Sequence, residues 1–237
     1  MTPGARRLGR WLCVGVAVLA VLHVVLHLAH DWFDALPANT GRWFDLNSES
    51  SIGTWFNMGL LLLVAAAAAL AAVSATAPSA RRAWGALAAA VALLSLDEQI
   101  SVHERLPELV GLERDTLATH EWLIPGVALG LLGLGVLWVL GRALPSPVRR
   151  GLIVALIVYV TGAVVLEGLT GFAIRGLPLE HPVRAAVPVW ELVEECLEML
   201  GCILALMTVV SHLHRAGAIP GGDGTRSPQP QPTHAGA

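Results

Sequence analysis

The chain has 237 residues, of which 55% are hydrophobic and only 14% are charged, and its formal net charge is −3. Soluble domains carry about 25% charged residues, so this composition excludes an ordinary water-soluble enzyme. All 15 basic residues are arginine and they form no basic stripe, which argues against a nucleic-acid-binding protein.

Six segments are apolar enough to be transmembrane helices. Their lengths are close to the about 20 residues that a bilayer requires. They are residues 11–30, 54–75, 83–106, 121–140, 151–170 and 187–210. The pattern predicts an all-α integral membrane protein whose six-helix transmembrane domain occupies residues 11–214. A short N-terminal segment at residues 1–10 precedes it. The Pro- and Gly-rich residues 215–237 have almost no apolar content and are predicted to form a disordered tail.

The first two predicted spans differ in their polar content. His23, His27 and His30 recur at a spacing that places them on one face of the first helix. Arginines precede this helix, as in a signal peptide, but the apolar run exceeds the about 7–15 residues of a signal sequence, which favours an uncleaved anchor. The second span carries five consecutive alanines at residues 65–69, which predict close helix packing.

The third span reaches its length only by including ionisable residues at its outer end. Asp97 lies about 21 Å along the helix from residue 83, still within a bilayer core about 30 Å thick. Glu98 is adjacent to it, and His103 and Glu104 follow. If the helix continues to residue 106, Asp97 and Glu104 share one face.

The fourth and fifth spans contain fewer ionisable residues than the third. His120 and Glu121 stand at the start of the fourth span, and its glycines at residues 130–135 predict close-packed scaffold. Glu167 lies about 24 Å along the fifth helix, near its outer end.

The sixth span is the most acidic. Glu191, Glu194 and Glu198 share one helical face, with Glu195 beside it. Glu198 lies about 16 Å below the outer end of the helix, close to the bilayer midplane. An acidic residue at that depth costs about 3 kcal/mol on insertion scales and is functional by default.

The distribution of arginine predicts the orientation. If the N-terminus is cytoplasmic, ten arginines lie inside and five outside, whereas 17 of the 18 acidic residues lie outside. The positive-inside rule then predicts a multi-pass protein of the plasma (inner) membrane with both termini in the cytoplasm. The lipid bilayer is therefore the partner that the sequence predicts.

Carboxylates and imidazoles from several helices therefore converge in the outer half of the predicted bundle. This donor set suits Fe, Mn or Zn, and we expect a divalent metal site there. The predicted ligands are Asp97, His103, Glu104, Glu194, Glu198, His23 and His27. The predicted general bases or supporting residues are Glu98, Glu167 and Glu195.

The metal hypothesis leaves the reaction open. Hydrolysis by a metal-activated water and oxidation of a small-molecule or lipid substrate both fit. The Glu-x-x-His motif of di-iron bundles is absent from the sequence, and only His23 and His27 have the spacing of a histidine box. A haem held by two histidines is less favoured.

Two alternatives do not require a resident metal. A proton- or cation-coupled transporter would use chains of Asp, Glu and His, although acids are missing from the inner halves of the predicted spans. A purely structural polar network is the second alternative. The sequence decides neither whether the protein is an enzyme nor its oligomeric state.

Overall fold

The computed structural model describes residues 1–33, 43–48, 50–109, 111 and 118–220. Within these residues the regular secondary structure is helical, and six helical segments are long and apolar enough to cross a membrane. The helices are α1 (Pro3–Phe33), α2 (Ile52–Ser74), α3 (Pro78–Ile100), α4 (Val102–Leu109), α5 (Leu123–Gly141), α6 (Ser146–Val160), α7 (Glu167–Arg175) and α8 (Val187–Arg215). The predicted all-α architecture, with six helical segments long and apolar enough to span a membrane, is confirmed for the described residues. The predicted tail lies largely outside the described residues.

Local sequence explains several helix ends. The Ser51 side chain accepts a hydrogen bond from the Thr54 backbone N–H and caps the start of α2. Proline occupies the first turn of α3, where its missing N–H has no helical partner to lose. The third span ends earlier than predicted, because Ser101 adopts left-handed backbone angles with φ 49°. The short helix α4 then begins at Val102, so Asp97 and Glu104 do not share one continuous helix.

The fifth span contains a π-helical segment, Thr161–Leu166, between α6 and α7. Gly162 lies in this segment against α8, where an added Cβ would come within 2.7 Å of the Glu194 carbonyl oxygen. Only a residue without a side chain allows this approach. The segment directly precedes Glu167, and single π turns of this kind occur frequently at functional sites.

Helix α8 is the centre of the bundle and packs against α1, α2 and α6. One apolar core surrounds Leu60, Met199 and Ile203. A second surrounds Trp84 and Leu213 near the opposite end of α8. At that end the Thr2 backbone N–H donates to the Ser211 hydroxyl, so the start of α1 and the end of α8 are neighbours.

Small residues behave differently on α2 and α5. Of the alanine run at residues 65–69, Ala65 and Ala68 are buried, as predicted for a close-packed scaffold, whereas Ala66 and Ala69 are exposed. The prediction for residues 130–135 is wrong among the described residues, because a Cβ added at Gly130, Gly133 or Gly135 would meet no atom within 4 Å. Helix α5 packs mainly against α3, and its glycines face away from that contact.

Candidate functional site

A buried asparagine joins carboxylates from two helices of the bundle. Asn57 on α2 is completely buried. Its Nδ2 donates to Glu98 Oε1 at 3.0 Å and to Glu198 Oε2 at 3.3 Å. Its Oδ1 accepts from the Cys202 thiol at 3.6 Å. One amide therefore joins carboxylates from α3 and α8 and also uses its acceptor, so its orientation is fixed by three contacts.

More carboxylates surround this pair. Glu195 and Glu194, on the same helix as Glu198, interact electrostatically with it. Glu167, directly after the π-helical segment, belongs to the same electrostatic group. Glu194 and Glu198 are both less than one-tenth exposed. This group draws Glu98, Glu167, Glu194, Glu195 and Glu198 from three helical segments. Asp97, which the sequence predicts to converge with them, pairs with His103 instead, and the side chain of Glu104 lies outside the described residues.

Asp97 and His103 form a separate pair at the end of α3. His103 Nδ1 lies 2.8 Å from Asp97 Oδ2, and the His103 backbone N–H donates to Asp97 Oδ1 at 2.9 Å. One carboxylate therefore fixes both the backbone and the ring of His103. The arrangement leaves Nε2 on the side of the ring away from Asp97, as in the carboxylate–histidine pairs that support metal ligands and general bases.

An indole connects this pair to the carboxylate group. The ring of Trp122 packs edge-on against His103, with centroids 4.9 Å apart. Its Nε1 donates to Glu167 Oε1 at 2.8 Å. Trp122 therefore spans from the imidazole to the carboxylate group, and both belong to one polar layer.

The remaining predicted residues contribute in different ways. His23 Nδ1 accepts from the Leu46 backbone N–H at 3.1 Å and lies 3.5 Å from Asp45 Oδ1, so it holds the segment before α2. The side chains of His27 and Glu104 lie outside the described part of the structure. Their predicted role as ligands stays a prediction.

Polar contacts also connect the segment before α5 to α7. The Arg175 guanidinium donates to Glu121, which is almost fully buried. His120 lies against Gly171 of α7. Burial lowers the pKa of His120 below its usual value, and the nearby Arg175 charge lowers it further, while Glu121 acts in the opposite direction.

No group of three or more His, Cys, Asp and Glu residues among the described ones is already arranged so that it could hold a metal ion. The donors nevertheless lie in one polar layer that Asn57 and Trp122 connect. A metal at this layer would require Glu98, Glu195 or Glu198 to reorient towards a common point.

Sequence reasoning missed three members of this network: Asn57, Trp122 and Arg175. Asn57 was detectable in principle, because an amide within an apolar transmembrane helix is a common helix-bridging group. Nothing in the sequence distinguishes Trp122 from a tryptophan at a membrane interface. Nothing in the sequence indicated that Arg175 would meet Glu121.

Comparison with known proteins gives a family but no function. A family model described as a domain of unknown function, DUF8692, matches residues 11–213. No curated protein and no solved structure matches the chain.

Proposed function

We propose, for this chain, which belongs to the DUF8692 family, that the carboxylate and histidine layer binds a divalent metal ion within the membrane. The observation that carries the proposal is the joining of Glu98 and Glu198 through Asn57. Carboxylates gathered in an apolar interior need protons or a cation to be stable. A metal ion supplies that positive charge, and the oriented imidazole of His103 adds a nitrogen donor.

The contacts refine the roles of the individual residues. Glu198 and Glu194 are proposed as ligands, and Glu98 joins them because it shares Asn57 with Glu198. His103 is proposed as the imidazole ligand. Asp97 then orients His103 through the 2.8 Å contact instead of binding the metal itself.

A bound Fe, Mn or Zn ion would activate water or support oxidation. Glu195 and Glu167 belong to the same electrostatic group as Glu198 and are proposed to accept protons from a bound water or substrate. The protein is thus proposed to be a metal-dependent membrane hydrolase or oxidoreductase. Its substrate would reach the site from the bilayer or from the aqueous side.

We also propose that the site opens to the extracytoplasmic side of the plasma (inner) membrane. The ten-to-five distribution of arginine supports this orientation. The contact between Thr2 and Ser211 supports termini on a common side, because it joins the two ends of the chain's helical region.

The direct test is elemental analysis of the full chain purified in detergent, beside the variants Glu198→Gln and Glu180→Gln. We expect near-stoichiometric Fe, Mn or Zn in the wild type and in Glu180→Gln, whose substituted side chain is exposed. We expect the metal to be lost from Glu198→Gln. Thermal unfolding of the wild type should shift downwards on chelation.

Another result would replace the metal proposal. If no variant contains metal after growth with each ion and chelation leaves thermal unfolding unchanged, the carboxylates hold protons. Proton- or cation-coupled transport and a structural polar network would then be the remaining functions.

A further inference from the structure

Arginines from five separate segments of the sequence meet at one end of the helix bundle. The buried cluster at the C-terminal end of α8 brings them there, because it joins Trp84 near the start of α3, Val148 at the start of α6 and Leu213 of α8. The start of α1 lies at the same end, since the Thr2 hydroxyl is 2.8 Å from His214 Nδ1. We call the arginines beside these contacts the arginine rim: Arg6, Arg7, Arg10, Arg81, Arg82, Arg142, Arg149, Arg150 and Arg215.

The described residues supply no carboxylate at this end of the bundle. Residues 1–30, 51–96, 122–166 and 199–220 contain neither Asp nor Glu. The ion pair between Arg175 and Glu121 lies at the other end of α5. The side chains of the arginine rim are exposed, apart from the half-buried Arg149. Their positive charge is therefore available to an external partner.

Three helices begin at the arginine rim without the negative charge that a helix start favours. The first turns of α1, α3 and α6 contain no acidic residue. Arg81 is the fourth residue of α3, and Arg149 is the fourth residue of α6. Because the N-terminus of a helix already carries partial positive charge, these arginines add to an unfavourable positive potential. An anion in contact with the arginines would lower it.

Exposed tryptophans mark the level of the arginine rim along the bundle. Trp11 directly follows Arg10 and is 70% exposed, and Trp138, one helical turn before Arg142, is 57% exposed. Exposed tryptophan on a membrane-spanning helix favours the head-group level of a bilayer. The neighbouring arginines would then lie at the depth of the lipid phosphates.

We propose that the arginine rim binds the phosphate groups of anionic phospholipids, with the starts of α3 and α6 as the principal contact. A guanidinium binds phosphate through two parallel hydrogen bonds. Basic groups at the ends of transmembrane helices recognise anionic lipid head groups. The two helix starts place four arginines, Arg81, Arg82, Arg149 and Arg150, around one buried cluster. This proposal shares the membrane location with the function proposed above and does not involve the metal.

The test is native mass spectrometry of the full chain in detergent, titrated with phosphatidylglycerol or with phosphatidylcholine that has the same acyl chains. At low salt we expect phosphatidylglycerol to bind about fivefold more tightly, the effect of one well-placed exposed ion pair. The net charge of −3 opposes binding of an anion, so this preference would have to come from a local surface. It should decrease as ammonium acetate is raised, because salt screens exposed charges. Equal affinities for the two lipids at low salt would contradict the proposal.

Paired variants locate the contact. Arg81→Gln combined with Arg82→Gln, and Arg149→Gln combined with Arg150→Gln, should each weaken binding of phosphatidylglycerol about fivefold. Binding of phosphatidylcholine should stay unchanged and thereby controls for folding. Arg184→Gln removes an arginine just before the opposite end of α8 and should leave both affinities unchanged. A full preference for phosphatidylglycerol in both double variants would overturn the proposal.

Inorganic phosphate distinguishes a lipid from a free anion. A large excess of phosphate should not displace phosphatidylglycerol, because the acyl chains of the lipid add apolar contacts beside the arginine rim. Complete displacement would overturn the assignment to a phospholipid. Lipid binding is measured directly and can be found in protein without metal, so failure of the metal proposal remains distinguishable from failure of this one.

Discussion

At the scale of single residues, Asn57 has the largest effect on how the carboxylates are arranged. It is fully buried and uses both ends of its amide, binding two carboxylates and one thiol. Amide side chains satisfy several partners at once only when their orientation is fixed. Asn57 therefore determines how close Glu98 and Glu198 can be.

Replacement of Asn57 by leucine tests this role. The change keeps the approximate volume and leaves the carboxylates without their shared donor. We expect Asn57→Leu to lower the free energy of unfolding by about 1–3 kcal/mol, the cost of unsatisfied buried polar groups. Thermal unfolding in detergent measures it, with exposed Asn47→Leu as the control. Equal melting temperatures for the two variants would show that the amide is not an organiser.

The Asp97 and His103 pair predicts a second residue-level effect. Asp97→Asn keeps the size of the side chain and removes the charge that orients the imidazole. Loss of such a supporting carboxylate typically reduces metal affinity about 10–100-fold. Metal titration followed by calorimetry measures this change. Asp45→Asn, whose contact to His23 is longer at 3.5 Å, should have a smaller effect; the reverse order would place the ligand histidine elsewhere.

His120 predicts a dependence of stability on pH. Its pKa in the folded protein is lowered below the usual 6.5 by burial and by Arg175. The unfolded state therefore binds more protons between the two pKa values, and this contribution to stability is lost as the pH falls through that window. We expect His120→Gln to reduce the decline in melting temperature on acidification below pH 6.5. Curves that remain parallel for wild type and variant would contradict this.

At the scale of helices, the break at Ser101 follows from Asp97. The Ser101 backbone N–H donates to the Asp97 carbonyl, and the Asp97 carboxylate then accepts from the backbone of His103. A side chain that satisfies the first N–H groups of a new helix favours a helix start there. The same contact that ends α3 thus turns His103 towards Trp122.

Two glycines in different packing environments predict different effects of an added methyl group. A Cβ added at Gly201 would lie 2.8 Å from the backbone nitrogen of Tyr159, so α6 and α8 would have to separate. We expect Gly201→Ala to destabilise the protein by about 1–3 kcal/mol, as overpacked cores do. Gly133→Ala on α5 meets no atom and should be neutral or stabilising. Thermal unfolding of both variants measures the difference. An unchanged melting temperature for Gly201→Ala would indicate that α6 and α8 are not closely packed.

At the scale of the whole molecule, orientation is open to a direct measurement. We expect a reporter fused after His214 to be active only in the cytoplasm, because arginines are concentrated on that side of the proposed topology. A reporter inserted between α7 and α8, near Glu180, should be active only on the other side. An extracytoplasmic signal from the fusion after His214 would reverse the proposed direction of the site.

The sequence by itself determined the six apolar helices and the concentration of acids towards one end of them. Both follow from one-dimensional properties: run length sets the number of spans, and residue number along a helix sets depth. It also indicated that Glu194 and Glu198 are buried, because acidic residues at their predicted depth in a bilayer face the protein interior. These features depend on no contact between distant parts of the chain.

Only the tertiary structure decided which groups meet. The sharing of Asn57 by Glu98 and Glu198, the link from Trp122 to Glu167 and the open glycine face of α5 depend on how the helices rotate and pack. Helix rotation is set by the summed fit of many small contacts, and no single residue pattern encodes it. The break at Ser101 was equally hidden, because it depends on the carboxylate of Asp97 accepting from the His103 backbone N–H in place of a helical hydrogen bond.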